Sequence, residues 1–323
     1  MKIAIVVPVR PGSTSGNSVT GERWQQQLAS LGHDAQVVSA GDGEDSSVPG
    51  DADVVIALHA RRCAGAIRDA VDQRPDRPVV VALAGTDLYQ DLPDSQEALT
   101  SLQLAAHLIV LQEHGVEHLA SFDPSFASKA SVVHQSVERV DARSTDSDHL
   151  TVVVLAHLRD VKDPLLSALA ARQLPASSRV MVEHAGAAHS DAWRLAAENE
   201  MRDNDRYRWH GPLDRDDARR LLATADVLAC TSKLEGGANV VSEAIAHGVA
   251  VVGTDIGGNR GLLGHDHPGL VDVGDHQALA RLFDRLDTDQ SVLDELAQRS
   301  VDRQWMVDPA HERRQLEAVL DQL

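Results

Sequence analysis

SKLEGGANVVSEAIAHGVAVVGTDIGGNRG, residues 232–261, follows an apolar run, Val227-Leu228-Ala229-Cys230, that reads as a buried strand. Gly236 and Gly237 break the chain, and a helix is expected from Asn239, with Val240, Val241, Ala244 and Ile245 on its buried side. A second strand is expected over residues 249–253, and Gly257-Gly258 close the unit. A glycine-rich turn ahead of a helix exposes backbone N–H groups that can hold an anion. Glu235 stands just before that turn and Glu243 lies one helical turn inside the helix, so both can face one cleft. A carboxylate accepts hydrogen bonds from two neighbouring hydroxyls, which suits Glu243 to a ribose diol and Glu235 to a hexose. Phosphates would lie between them, over Gly236, Gly237, Ala238, Asn239 and Val240. An ordinary strand–turn–helix with two solvated glutamates has the same local pattern.

Outward from this unit, the same alternation fills the chain. Strand-like runs at residues 2–9, 34–39, 53–58, 78–84, 107–111 and 131–134 are separated by helical patterns. Runs at 151–156, 179–184, 206–209, 226–230, 249–253 and 269–273 repeat the arrangement. Short β-branched runs alternating with helices predict an α/β fold with parallel, doubly wound sheets. Residues 137–149, VERVDARSTDSDH, are polar and aperiodic and read as a linker. Two domains are expected, 1–140 and 150–305, then a helical segment, 306–323, set off by Asp308-Pro309.

Composition excludes several classes. The 323 residues suffice for two cores, and 43% apolar with 24% charged residues is ordinary for a soluble globular chain. A net charge of −19 opposes binding to nucleic acid or to an anionic membrane. No apolar run is long enough to span a bilayer, and IAIVVPV after Met1-Lys2 is too short for a signal peptide. Cys63 and Cys230 have no metal-type spacing and read as reduced core thiols, so a cytoplasmic protein is expected. The 16 histidines lack H-E-x-x-H or similar clusters, so no metal is expected.

Doubly wound sheets bind ligands at the carboxyl ends of their strands. After the first strand come Gly12, Ser13, Thr14, Ser15 and Gly16, with Asn17 as a helix cap and Trp24, Leu28 and Leu31 at helical spacing. Gly16, Asn17 and Thr20 are candidate contacts there. The loop is not G-x-G-x-x-G, so no nicotinamide cofactor is expected, nor any other. The third strand ends in His59-Ala60-Arg61-Arg62 and the fourth in Ala84-Gly85-Thr86-Asp87. Thr86 and Asp87 either point into the cleft or form a turn and a helix cap. In TVVVLAHLRDVKDPLL, residues 151–166, Arg159 and Lys162 stand three apart on a loop entering a helix. Two cations there can clamp a diphosphate and stabilise charge on a departing nucleotide. At a plain surface helix they would oppose the macrodipole.

E-G-G-A-N-V-V-S-E resembles the E-x7-E signature of retaining nucleotide-sugar glycosyltransferases of the GT-B fold, the GT4-like group. The resemblance implies two Rossmann-like domains facing across a cleft, with Glu243 on the ribose, Glu235 on the donor sugar and diphosphate on the backbone between. Gly237 stands where many relatives carry an aromatic residue. Ala156-His157-Leu158-Arg159-Asp160-Val161-Lys162 is similar to the family's G-R-L-x-x-x-K segment, with Lys162 on its lysine and Arg159 as the variant arginine. Trp209-His210-Gly211-Pro212-Leu213 resembles the turn that holds the base through backbone groups, which implicates Gly211 and Leu213. His59 stands where these enzymes place a histidine near the donor sugar, and their last helix crosses back to the first domain.

A narrower resemblance lies in TSGNSVTGERWQQQLASLGH, ALHARRCAGAIR and VVALAGTDLYQDL, residues 14–33, 57–68 and 80–92, which look like the selenosugar synthases of selenoneine biosynthesis. That family joins a UDP-sugar such as UDP-N-acetylglucosamine to selenophosphate through a carbon–selenium bond. It implies a small anionic acceptor held by Thr20, Arg61, Arg62, Thr86 and Asp87, with His59, Arg159, Lys162 and Glu235 as the catalytic set. A GT4-like transferase with an alcohol acceptor, a sugar-nucleotide epimerase and a two-domain ligand-binding protein remain as alternatives, and the oligomeric state stays open.

Overall fold

The computed structural model describes residues 1–9, 15–40, 48–92, 94–140 and 148–323. All twelve expected strands form. Strands β1 (Lys2–Val7), β2 (Asp34–Ser39), β3 (Val54–Leu58), β4 (Val79–Ala82), β5 (His107–Val110) and β6 (Ala130–Val132) make one sheet, ordered β2-β1-β3-β4-β5-β6. Strands β7 (Leu150–Leu155), β8 (Val180–Ala185), β9 (Tyr207–Trp209), β10 (Val227–Cys230), β11 (Ala250–Thr254) and β12 (Leu270–Val271) make a second, ordered β12-β11-β10-β7-β8-β9. Every pairing is parallel. The strand order reverses between β1 and β3 in the first sheet and between β7 and β10 in the second. Ligands of such sheets bind outside the strand ends at these reversals.

Each sheet is buried on both faces, which is why its strands read as continuous apolar runs. In β1, Ala4 and Val6 pack into one core layer while Ile3, Ile5 and Val7 pack into the opposite one. In β10, Val227 and Ala229 divide from Leu228 and Cys230 in the same way. The period of two in strand side chains produces this division. Both cysteines are buried thiols outside any disulfide.

Two compact units result. Unit 1 comprises Met1–Ser136, Glu235–Gly237 and Pro309–Leu323, and unit 2 comprises Val137–Leu234 and Ala238–Asp308. The terminal helix Pro309–Leu320 belongs to unit 1, where Leu316, Val319 and Leu320 pack with Trp24 and Leu28 of helix Gly16–Ser30. Of the expected linker, 137–140 joins unit 2, with Val137 N–H on Val307 O and Val140 N–H on His247 Nε2, while 141–147 lies outside the described residues. Residues 12–14 of the first loop also lie outside them. Asn17 is not the helix cap. Ser15, in extended conformation, accepts from Ser18 N–H at 3.2 Å, and Asn17 is already helical.

Unit 2 carries two buried neutral histidines. His184 donates from Nε2 to Ala156 O at 2.8 Å, which leaves Nδ1 to accept the Tyr207 hydroxyl at 2.8 Å. His267 Nδ1 accepts Gly269 N–H at 3.2 Å. Burial pushes both from the ordinary 6.5 down to about 4. With folded values below unfolded ones, the stability they confer is full above pH 6.5 and is lost as pH falls towards 4. Each should cost about 3 kcal/mol across that window. Urea unfolding at pH 7.5 and pH 5 should show a steep loss of stability, and His184→Gln should flatten it.

Candidate functional site

At the reversal of the second sheet, the loop after β7 and the loop after β10 are tied together. Thr231 Oγ1 donates to Asp163 O at 3.0 Å and Lys233 N–H donates to Val161 O at 2.8 Å. A single 3-10 turn, Asp160–Lys162, lies in the first loop and ends at Asp163, whose φ of 41° places it in the left-handed region. This turn puts Arg159 and Lys162, both half-buried, on one short segment. Arg159 Nε is buried without a hydrogen-bond partner among the described residues. Buried donors of that kind ordinarily have partners, so a bound anion would satisfy it.

Helix Asn239–His247 starts beside this loop with Ala238 in the cap position and no side-chain cap. Its first-turn N–H groups and macrodipole favour an anion. Glu243 is half-buried on the helix, with Oε1 3.7 Å from Arg219 Nε on helix Arg215–Ala223. Gly211 has a φ of 72° and its N-terminal neighbour in the turn, His210, bonds Glu183 Oε2 at 2.6 Å. Gly211 O accepts Gly186 N–H at 2.8 Å, and Leu213 is half-buried on the same turn. Burial, then the neighbouring His189, holds the His157 pKa below its ordinary value, with the cations Arg159 and Lys162 adding to the effect. Unit 2 therefore gathers Arg159, Lys162, Gly211, Leu213, Ala238, Asn239, Val240 and Glu243.

Unit 1 gathers the rest around β3 and β4. His59 is 1% exposed and has a φ of 118°, a strained conformation for any residue but glycine. Its Nδ1 accepts Arg62 N–H at 3.3 Å, so Nε2 carries the proton and donates to Thr86 Oγ1 at 3.1 Å. Burial lowers the His59 pKa, and outweighs Asp87 and Asp91, which act the other way. A neutral imidazole with its acceptor nitrogen occupied serves as a hydrogen-bond donor rather than a base.

Asp87 is turned into unit 1. Its side chain is fully buried, and Oδ1 accepts from the N–H of Ala84, Gly85 and Leu88 at 2.8, 3.0 and 3.1 Å, while Oδ2 accepts Ala60 N–H at 2.9 Å. Three of these four bonds converge on Oδ1 and one on Oδ2, so the carboxylate braces the ends of β3 and β4 and holds His59 in place. Asp87→Asn would set an amide N–H₂ against one of these N–H groups and should cost about 2 kcal/mol, read by chemical denaturation.

Thr20 is likewise turned inward: it is buried and donates to Gln135 Oε1 at 3.0 Å. Arg61 is exposed but paired through Nε with Asp91 Oδ2 at 2.8 Å, and Arg62 is exposed. Gly16 and Asn17 open the helix after β1. Glu235, Gly236 and Gly237 belong to unit 1, although the residues before and after them belong to unit 2. A Cβ on Gly85 would lie 2.5 Å from Gly236 N, and one on Gly236 would lie 2.7 Å from Gly85 N. The two backbones touch, which only glycine permits.

Asp91, Arg219, Gln112 and Gln135 escaped the sequence reading. Gln112 and Gln135 do follow the carboxyl ends of β5 and β6, and Asp91 stands four residues beyond Asp87, on the π-helical turn Asp87–Asp91. Those positions were the available signal.

Two parallel doubly wound sheets, the second with a cationic loop and an uncapped helix at its reversal, define a GT-B glycosyltransferase fold. The Glycosyl transferases group 1 family matches residues 138–303, just over half of the chain, and the chain belongs to that family. It is 24% identical over 314 residues to Glycosyltransferase 1 domain-containing protein 1 of Xenopus tropicalis, covering 90% of this chain and 88% of the relative. The crystal structure of Anabaena HepE in complex with UDP-glucose matches 100% of both chains with a TM-score of 0.80 at 18% identity. A sucrose-phosphate synthase from Thermosynechococcus elongatus matches with a TM-score of 0.80 at 17% identity, over 99% of this chain and 98% of its own. No helix among the described residues is long and apolar enough to cross a membrane.

Proposed function

We propose that this glycosyltransferase takes its sugar from a UDP-sugar, UDP-N-acetylglucosamine, and passes it to selenophosphate. Unit 2 holds the nucleotide: Arg159, Lys162 and the N-terminus of helix Asn239–His247 bind the diphosphate, Glu243 binds the ribose, and the Gly211–Leu213 turn binds the base. In unit 1, His59 turns its Nε2–H from Thr86 to the sugar and Glu235 accepts from the sugar hydroxyls. The C1–O bond to UDP breaks, the bond from selenium to C1 forms, and the electron pair leaves with the β-phosphate, whose charge the two cations stabilise. The observation that carries the reading is Arg159 and Lys162 together at the reversal of the second sheet, with Arg159 Nε unsatisfied. The UDP-glucose complex of HepE, on the same fold, supports the choice of donor.

The acceptor rests on the resemblance of the first half and on Arg61-Arg62 beside His59. A selenium anion needs no base to remove a proton, which agrees with a His59 whose acceptor nitrogen is occupied. The Arg61–Asp91 pair favours a second reading, an alcohol acceptor, because it neutralises one of the two cations. Enzyme, UDP-N-acetylglucosamine and selenophosphate, followed by mass spectrometry, should yield a selenium-bearing sugar and UDP. Transfer to sugar alcohols in its place establishes the second reading. With selenophosphate as acceptor, Arg61→Ala should raise its KM about tenfold and leave UDP affinity within twofold, as loss of one charge-assisted contact does.

A further inference from the structure

We infer that Gln135, with Gln112, is a positioning residue that fixes Glu235–Gly237 for glycosyl transfer, an inference that rests on the function proposed above. Gln112 and Gln135 are buried, 0% and 2% exposed. Gln112 Nε2 donates to Gly236 O at 3.1 Å, and Gln135 Nε2 donates to Gly237 O at 2.5 Å. Two side-chain amides from the ends of β5 and β6 thus take two consecutive carbonyls. Glycine pairs have the largest conformational freedom of any dipeptide, so without these bonds the preceding Glu235 would be poorly placed.

The orientation of the Gln135 amide is itself determined. Its Oε1 accepts Thr20 Oγ1–H at 3.0 Å and Arg23 Nη2–H at 3.3 Å, so only Nε2 can face Gly237. Arg23 in turn is held by Glu312 on the terminal helix, at 3.0 and 3.1 Å from its two oxygens. Glu312 is fully buried and also accepts Trp24 Nε1–H at 2.8 Å and the Ser136 hydroxyl. The terminal helix therefore acts on the glycine turn through Arg23 and Gln135, within unit 1.

Gln135→Glu tests this, because it keeps an acceptor for Thr20 and Arg23 but cannot donate to Gly237 O. The expected results are amide exchange at Gly236 and Gly237 faster by about tenfold, kcat lower by about 10- to 100-fold, and UDP Kd within twofold. In a Glu235→Gln background the same change should lower kcat little further, since both act through one carboxylate. Thr20→Val, which leaves the Gly237 bond intact, should fall between wild type and Gln135→Glu. Unchanged exchange overturns the clamp. Faster exchange with unchanged kcat, additive losses with Glu235→Gln, or a parallel loss of UDP binding overturns the positioning role. A wild-type enzyme that transfers from no UDP-sugar defeats the proposed function, and the exchange data still decide the clamp.

Discussion

Replacing Lys162 by alanine is expected to lower kcat for sugar transfer about 100- to 1,000-fold, the loss typical of removing one preorganised group from a developing oxyanion. The same change should weaken UDP binding by about 1.5–3 kcal/mol, because a charge-assisted hydrogen bond to the diphosphate is lost. Lys162 is carried on a 3-10 turn held by Thr231 and Lys233 from the neighbouring strand end, so its truncation leaves the loop itself in place. Glu243→Ala should cost a similar 1.5–3 kcal/mol, roughly, in UDP affinity by leaving two ribose hydroxyls unpaired, yet should change kcat far less. Calorimetry with UDP and steady-state kinetics with the UDP-sugar separate the two. UDP affinity unchanged in both variants would remove the nucleotide from this loop and helix.

Gly85→Ala should be severely destabilising, by about 3–5 kcal/mol, because an unfavourable backbone and a steric overlap add. The φ of Gly85 is 122°, and its new Cβ would sit 2.5 Å from Gly236 N, a backbone atom that no rotamer change can move away. Gly236→Ala meets Ala84 C and Gly85 N at 2.7 Å from an ordinary φ, so it carries the overlap without the backbone strain. It should cost less stability, about 1–3 kcal/mol, and still abolish most transfer by unseating Glu235. Thermal unfolding distinguishes the pair, and a melting temperature for Gly85→Ala equal to that of Gly32→Ala, which has the strain without the overlap, would mean that the close approach is absent. Gly32→Ala is the control: its φ is 84° but nothing lies within 4 Å, so only the backbone strain remains.

The sheets were legible because their cause is local. A run such as Val227-Leu228-Ala229-Cys230 is apolar on both faces wherever it occurs, and twelve such runs separated by helical patterns leave few arrangements other than parallel sheets. The places of Arg159 and Lys162 after a strand end, and of Glu243 in the helix beyond the glycine break, were legible for a related reason, since the strand ends were already known. Asp87 stayed between two readings because the direction of a side chain is not local information. Its sequence context allows a cleft residue or a turn and helix cap, and the brace it forms depends on where the Ala60 N–H stands, 27 positions earlier. Ser15 displaced Asn17 as the helix cap through a difference of two residues, the usual uncertainty of a helix end.

By itself the amino-acid sequence determined two doubly wound sheets, the glycine break at Gly236-Gly237, and cations at the end of β7, since each follows from residue type and spacing along a short segment. Tertiary structure alone decided that Glu235–Gly237 belongs to unit 1. That assignment depends on Gln112 and Gln135, 124 and 102 residues from the carbonyls they hold, and on two glycine backbones in contact. A glutamine at a strand end has no periodicity that marks its partner, and a glycine shows only that a side chain is absent, not what has come close in its place.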